Sequence, residues 1–226
     1  FFKYLDEWVE SNGLVPRVMD ESMADDLQLD LEDEPGNISK LLKLAWVYYC
    51  GGVEVDVHLT IAKALKIEPG NADAHAILGL QKLREGKSAA ARMDLQKALE
   101  GKTRYRFRVN EALGNILLKS GKKEKAIEFL ERARASSPRA GALQGRTNLY
   151  SRLVSHYMES GDEKKMIERL EQWRQISPED LRSRLALGKI YLGKGDQESL
   201  AKAVEVLDEV IFINPFDLKL HKELAR

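Results

Sequence analysis

Residues 113–138 read LGNILLKSGKKEKAIEFLERARASSP. Leu113 and Gly114 open the stretch, Gly121 follows eight positions after Leu113, Ala126, Leu130 and Ala133 recur at helical spacing, and Pro138 closes it. Apolar residues three and four apart predict one helix before Gly121 and a second after it. A glycine between them accepts the left-handed backbone that ends the first helix, and a proline cannot continue the hydrogen-bond ladder of the second. The stretch predicts a helical hairpin.

The same punctuation recurs in both directions. Gly52, Gly86, Gly121, Gly161 and Gly195 are 34, 35, 40 and 34 residues apart, and Leu44, Leu78, Leu113, Leu153 and Leu187 each stand eight positions before one of them. A mostly small residue follows each leucine: Ala45, Gly79, Gly114, Val154 and Gly188. A period near 34 is the mark of a stacked helical repeat, in which no hairpin buries its apolar face alone.

This pattern resembles the tetratricopeptide repeat, which runs W, L-G, Y, then A, F, A and finally P over two antiparallel helices. Gly79, Ala91, Leu95 and Ala98 carry the likeness in the second repeat, Leu113, Gly114, Ala126, Leu130, Ala133 and Pro138 in the third, and Leu187, Gly188, Tyr191, Ala203, Leu207 and Pro215 in the fifth. Tyr48, Ile61, Ala64 and Pro69 mark the first, and Tyr157, Leu170 and Pro178 the fourth. The resemblance implies an all-α fold, a right-handed α-α superhelix of antiparallel helix pairs. Repeats are expected at about 38–71, 72–106, 107–146, 147–180 and 181–217, with a partial sixth at 218–226, and residues 1–37 as N-terminal helices that cap the array or end a preceding domain.

Three places depart from the pattern. In the fourth repeat the small positions hold Val154, Met166 and Trp173, which predicts looser packing or a different crossing. Pro138 to Pro178 spans 40 residues, with the surplus at 139–146 read as an N-terminal extension of the next helix or, alternatively, as a binding loop. The fifth repeat carries three extra residues near Asp196 to Ser199, expected in the hairpin turn. Ahead of the array, Phe2, Leu5, Trp8 and Val9 predict a helix ending at Asn12 and Gly13, and Val18, Met19, Met23 and Leu27 one side of a second over Arg17 to Leu31.

Lysine plus arginine equals aspartate plus glutamate at 36 each over 226 residues, so no net field draws the chain to nucleic acid or anionic membrane. The charge is nonetheless segregated: residues 1–37 hold eleven acidic side chains against Lys3 and Arg17, and nine positive charges in excess follow. One cysteine, Cys50, excludes an internal disulfide framework. No apolar run is long enough to span a membrane, and the composition assigns no compartment beyond a cytoplasmic default. Phe1 in place of methionine, and Arg226 inside a helical pattern, read as a segment of a longer polypeptide.

No chemistry-bearing motif emerges. His58, His75, His156 and His221 are scattered over different repeats, without metal-ligand spacing on one helix. Gly86-Lys87-Ser88 ends like a phosphate-binding loop, but Gln81 stands where its first glycine belongs, and the triplet separates two helices. The expectation is therefore no catalytic, metal or cofactor-binding residue. The resemblance places ligands on the first helix of each repeat, at its second, fifth, ninth and twelfth positions. Here these include Leu42, Trp46, Tyr49, Ala76, Leu80 and Leu83, an apolar stretch, then Arg108, Glu111, Asn115, Asn148, Ser151, Ser155, Arg182 and Lys189. The family's clamp for a C-terminal carboxylate is missing in this register, where Leu42, Trp46, Leu80, Glu111 and Asn115 stand.

The resulting expectation is a non-enzymatic scaffold that binds a partner protein or peptide in the concave groove. Its alternative is an accessory module of a larger enzyme with catalysis upstream of Phe1. Nucleic-acid binding would need a continuous basic stripe, and Arg104, Arg106 and Arg108 are too local a cluster for one.

Overall fold

The computed structural model describes residues 21–136, 147–178, 180–213 and 216. Among them are eleven α-helices and no strand: α1 Glu21–Asp33, α2 Ile38–Gly51, α3 Glu54–Ile67, α4 Ala72–Arg84, α5 Ser88–Glu100, α6 Arg106–Lys119, α7 Lys123–Ser136, α8 Thr147–Ser160, α9 Glu163–Ile176, α10 Leu181–Lys194 and α11 Gln197–Ile213. The chain divides into two compact bodies, Phe1–Ser137 and Pro138–Arg226. The dividing point is the junction with the 40-residue spacing.

In the N-terminal body the hairpins are α2/α3, α4/α5 and α6/α7. The second helix of each pair packs on the first helix of the next, α3 on α4 and α5 on α6, and the first helices also touch in series, α2 with α4 and α4 with α6. In the C-terminal body α8/α9 and α10/α11 are joined through α9 and α10. Each body is thus a stack of hairpins.

The turn glycines behave as their spacing predicts. Gly52, Gly86, Gly121, Gly161 and Gly195 are the only residues with positive φ among those described, at 70° to 79°. At the first four turns the amide just past the glycine donates to the carbonyl five residues back, Val53 to Tyr48, Lys87 to Lys82, Lys122 to Leu117 and Asp162 to Tyr157, at 2.9 to 3.0 Å. This is the helix-ending motif in which glycine is favoured because a Cβ would be strained at that φ. Asn37, Asn71 and Asp162 cap the helices that follow them by accepting from the amides of Lys40, Ala74 and Lys165.

The second glycine of the pattern works through space rather than conformation. A Cβ on Gly79 would lie 2.7 Å from Leu95, one on Gly114 2.7 Å from Leu130, and one on Gly188 2.5 Å from Leu207. Each of these hairpins closes on a leucine seated directly against a bare backbone. The fourth repeat lacks this seat, and Val154 and Met166 stay half-buried while Trp173 is buried and stacks with Tyr150 at 6.5 Å.

Two expectations are corrected here. Helix α1 turns Ala24, Leu27 and Leu31 toward the core, whereas Met23 is exposed. The surplus of the fifth repeat extends α11 rather than the turn, because Asp196 accepts from the Ser199 amide at 2.9 Å and starts the helix early. The readings for residues 1–20, 139–146 and 218–226 lie outside the described residues.

Candidate functional site

The candidate residues of the N-terminal body separate by burial. Leu42, Trp46, Ala76 and Leu80 are core side chains, with Trp46 only 6% exposed, and Tyr49 and Leu83 are half-buried against that core. The six residues of this apolar stretch are therefore packed in or against the core. The cause is aromatic: the Trp46 ring stacks on Tyr49 at 5.0 Å and meets Tyr105 at 4.5 Å. Trp46 on α2 and Tyr105, which directly precedes α6, thus meet although α4 comes between their helices in the stack.

Tyr105 owes its place to a bracket that the repeat pattern does not contain. The second helix of this repeat ends in Gly101, not proline, and a Cβ there would come 2.8 Å from Ala72. The loop that follows is pinned by Asp73, whose carboxylate accepts from the Thr103 hydroxyl at 2.8 Å, the Arg104 amide at 3.0 Å and Arg104 Nε at 2.7 Å. Burial pushes the Tyr105 hydroxyl far above the ordinary phenol range.

Three guanidinium groups lie over the aromatic cluster, Arg104 being 5.8 Å from the Tyr105 ring. Arg84 sits 3.9 Å above the Tyr49 ring and donates to the Tyr49 carbonyl at 2.6 Å, and Arg108 lies 5.2 Å from the Trp46 ring. Arg84 is exposed and pairs with no carboxylate among the described residues. It is a cation held by its planar face with an open edge, the geometry in which arginine binds carboxylate with two parallel hydrogen bonds. Glu111 and Asn115, further along α6, are half-buried. Arg104, Arg106 and Arg108 face different partners, namely Asp73, the Gly101 carbonyl and Trp46, and form no continuous stripe.

In the C-terminal body Ser151 is half-buried, and Ser155, Arg182 and Lys189 are exposed or nearly so. The Asn148 side chain lies outside the described set. Arg182 pairs with Asp180 at 2.6 Å and lies 5.1 Å from the Trp173 ring. Behind this face Glu209 on α11 accepts from Arg174 of α9 at 2.6 Å and from Arg184 of α10 at 2.7 Å. Burial alone would raise the Glu209 pKa, but the two arginines outweigh it and hold the carboxyl below its usual range.

Other polar side chains are structural. His75, buried, donates from Nε2 to the Pro69 carbonyl at 2.9 Å, and its Nδ1 lies 3.1 Å from Asp94, which also pairs with Lys82 at 2.6 Å. His58 Nε2 lies 2.6 Å from Glu85 and ties α3 to the next turn. Among the described residues no group of histidine, cysteine and carboxylates could hold a metal, and no helix is long and apolar enough to cross a membrane. Sequence spacing misses Arg84, Tyr105 and Asp73, although Arg84 ends its helix one position after the twelfth-place Leu83.

Stacked helical hairpins place the chain in the helical-repeat class. Residues 107–138 match the tetratricopeptide repeat family model, and the stack of helical hairpins around them has the fold of that repeat. No curated protein matches the sequence. Among solved structures, YrrB, a TPR protein with an unusual peptide-binding site, has a TM-score of 0.59 at 18% identity, over 90% of this chain and 100% of its own. PilF of Pseudomonas aeruginosa has a TM-score of 0.59 at 18% identity, over 88% of this chain and 86% of its own. PilW, a type IV pilus biogenesis factor, has a TM-score of 0.54 at 20% identity over 88% and 87%. The likeness at these identities is one of fold.

Proposed function

We propose that the first-helix face of the N-terminal body holds a peptide segment of a partner protein, without catalysis. The carrying observation is Arg84, stacked on Tyr49 and open to solvent with no carboxylate of the described residues against it. Beside it, Arg108 over Trp46 continues the same alternation of ring and guanidinium. Residues 38–136 carry nineteen basic side chains against eleven acidic ones, so an acidic segment is drawn to this body over a neutral one. The peptide-binding description of YrrB supports a peptide as the ligand class.

The test is selection of a random peptide-display library on the purified chain. The expected outcome is a consensus containing aspartate or glutamate beside an apolar residue, with binding weakened about tenfold or more by Arg84→Glu or Arg108→Glu and unchanged by Lys189→Glu. Selected peptides that bind Arg84→Glu and Arg108→Glu as tightly as the parent would remove this face from consideration.

A further inference from the structure

A cleft lies beside α2, between α1 and α3. In the interior of an array each first helix is flanked by two second helices, its own and that of the repeat before, as α4 is by α5 and α3. Helix α2 has α3 on one side, and α1 stands where the preceding second helix would be. Helix α1 fills that place only in part: Ala24, Leu27 and Leu31 reach the core, and Gln28 donates to the Tyr48 hydroxyl. A cleft of about 330 Å³ remains, floored by Leu41, Leu44 and Tyr48 of α2, with Glu32 on the α1 wall and Leu59 and Lys63 on the α3 wall.

Leu59 is 58% exposed and Val55, one turn earlier on α3, 69%. An apolar pair at i and i+4 beside an apolar-floored cleft is the seat of a helix that inserts leucine-sized side chains. Charge identifies the occupant. Helix α1 has six acidic residues and no basic one, and Lys40 takes up only Asp30 and Glu34, at 3.2 and 3.5 Å. Asp25, Asp26, Glu32 and Asp33 have no ion pair among the described residues, nor does Asp56, which also lines the cleft.

We propose that this cleft binds a basic amphipathic helix of a partner protein, its apolar stripe on Leu59 and Val55 and its lysines or arginines along α1. The site is separate from the Arg84 face and takes a ligand of opposite charge.

The probe is a fluorescein-labelled peptide LKKLLKLLKKLLKL, with LEELLELLEELLEL as its acidic counterpart, titrated against the full chain by anisotropy. The basic peptide is expected to bind and the acidic one to fail at this site. Leu59→Asp and Glu32→Lys are each expected to weaken binding about tenfold, and Met93→Asp, at the same helical register one repeat on and 65% exposed, to leave it unchanged. All three positions are exposed, and a melting temperature within a few degrees of the parent confirms that the variants fold. Equal loss in Met93→Asp, binding that survives both Leu59→Asp and Glu32→Lys, or no binding by the parent overturns the proposal. A concentration-dependent dimer abolished by Leu59→Asp, without peptide binding, overturns it in favour of a second copy of the chain.

Discussion

Gly114 on α6 lies so close to Leu130 on α7 that a Cβ at position 114 would stand 2.7 Å from the leucine Cδ2. The contact is the crossing point of the third hairpin, and it recurs between Gly79 and Leu95 and between Gly188 and Leu207. Overpacking such a contact forces side chains off their rotamers or moves the helices apart, at a cost of about 1–3 kcal/mol. Gly114→Ala is therefore expected to lower stability by that amount, measured by urea denaturation. Adding Leu130→Val should recover part of the loss, and a double-mutant cycle showing no coupling would contradict the close approach.

That contact is legible in the amino-acid sequence because its two residues belong to one hairpin, and the repeat period marks both. The turn glycines are legible for the same reason. Contacts between repeats are not: Asp73 meets Arg104 and Arg174 meets Glu209, pairs 31 and 35 residues apart. Residues about one period apart are neighbours in a stack, so opposite charges at that distance are the signal that could find them. The burial of the apolar stretch of the first two repeats is not legible either: position within the repeat names Leu42, Trp46 and Leu80, and only the contact of Trp46 with Tyr105 shows them packed.

Glu209 joins three helices of the C-terminal body, accepting from Arg174 of α9 and Arg184 of α10. Arg184 is buried, so removing its carboxylate leaves a desolvated cation. Glu209→Gln is expected to cost about 2–3 kcal/mol, discounted from a fully buried pair because Glu209 is partly exposed. The same substitution at Glu205, which among the described residues pairs with Arg174 alone and is exposed, should cost under about 1 kcal/mol. Thermal melts of the two variants that shift equally would show that the bridge does not matter.

Glu85 gives the N-terminal body an acid-sensitive joint. Lys87 first, then Gln81 and His58, hold its carboxyl at about 2, against an ordinary value of 4.5. A depressed carboxyl pKa adds stability that is full above the unfolded value and is lost as pH falls through the folded one. The contribution therefore fades between pH 4.5 and about 2. Glu85→Gln is expected to be less stable than the parent at pH 7 by on the order of 1–2 kcal/mol, allowing for solvent screening. The gap should narrow below pH 4.5, and denaturant midpoints followed across that range provide the measurement.

Asp73 links the stability of the array to the shape of the face on which the peptide is proposed to bind. Its carboxylate takes three hydrogen bonds from Thr103 and Arg104, and these hold the chain that carries Tyr105 onto Trp46. Asp73→Ala removes all three at once. A buried or half-buried hydrogen bond to a charged group contributes about 1.5–3 kcal/mol, but this site is partly exposed and the loop can rehydrate, so a loss near the lower figure is expected. The sharper expectation concerns local motion. Amide exchange at Arg104 and Tyr105 should speed up in Asp73→Ala well before exchange in the α6/α7 hairpin does, because the hairpin keeps its Gly114–Leu130 contact. With the Tyr105 wedge loosened, Arg108 is no longer held over Trp46, and peptides selected on the parent should dissociate faster. Uniform acceleration of exchange throughout the N-terminal body would instead make Asp73 a general stability residue with no special hold on that face.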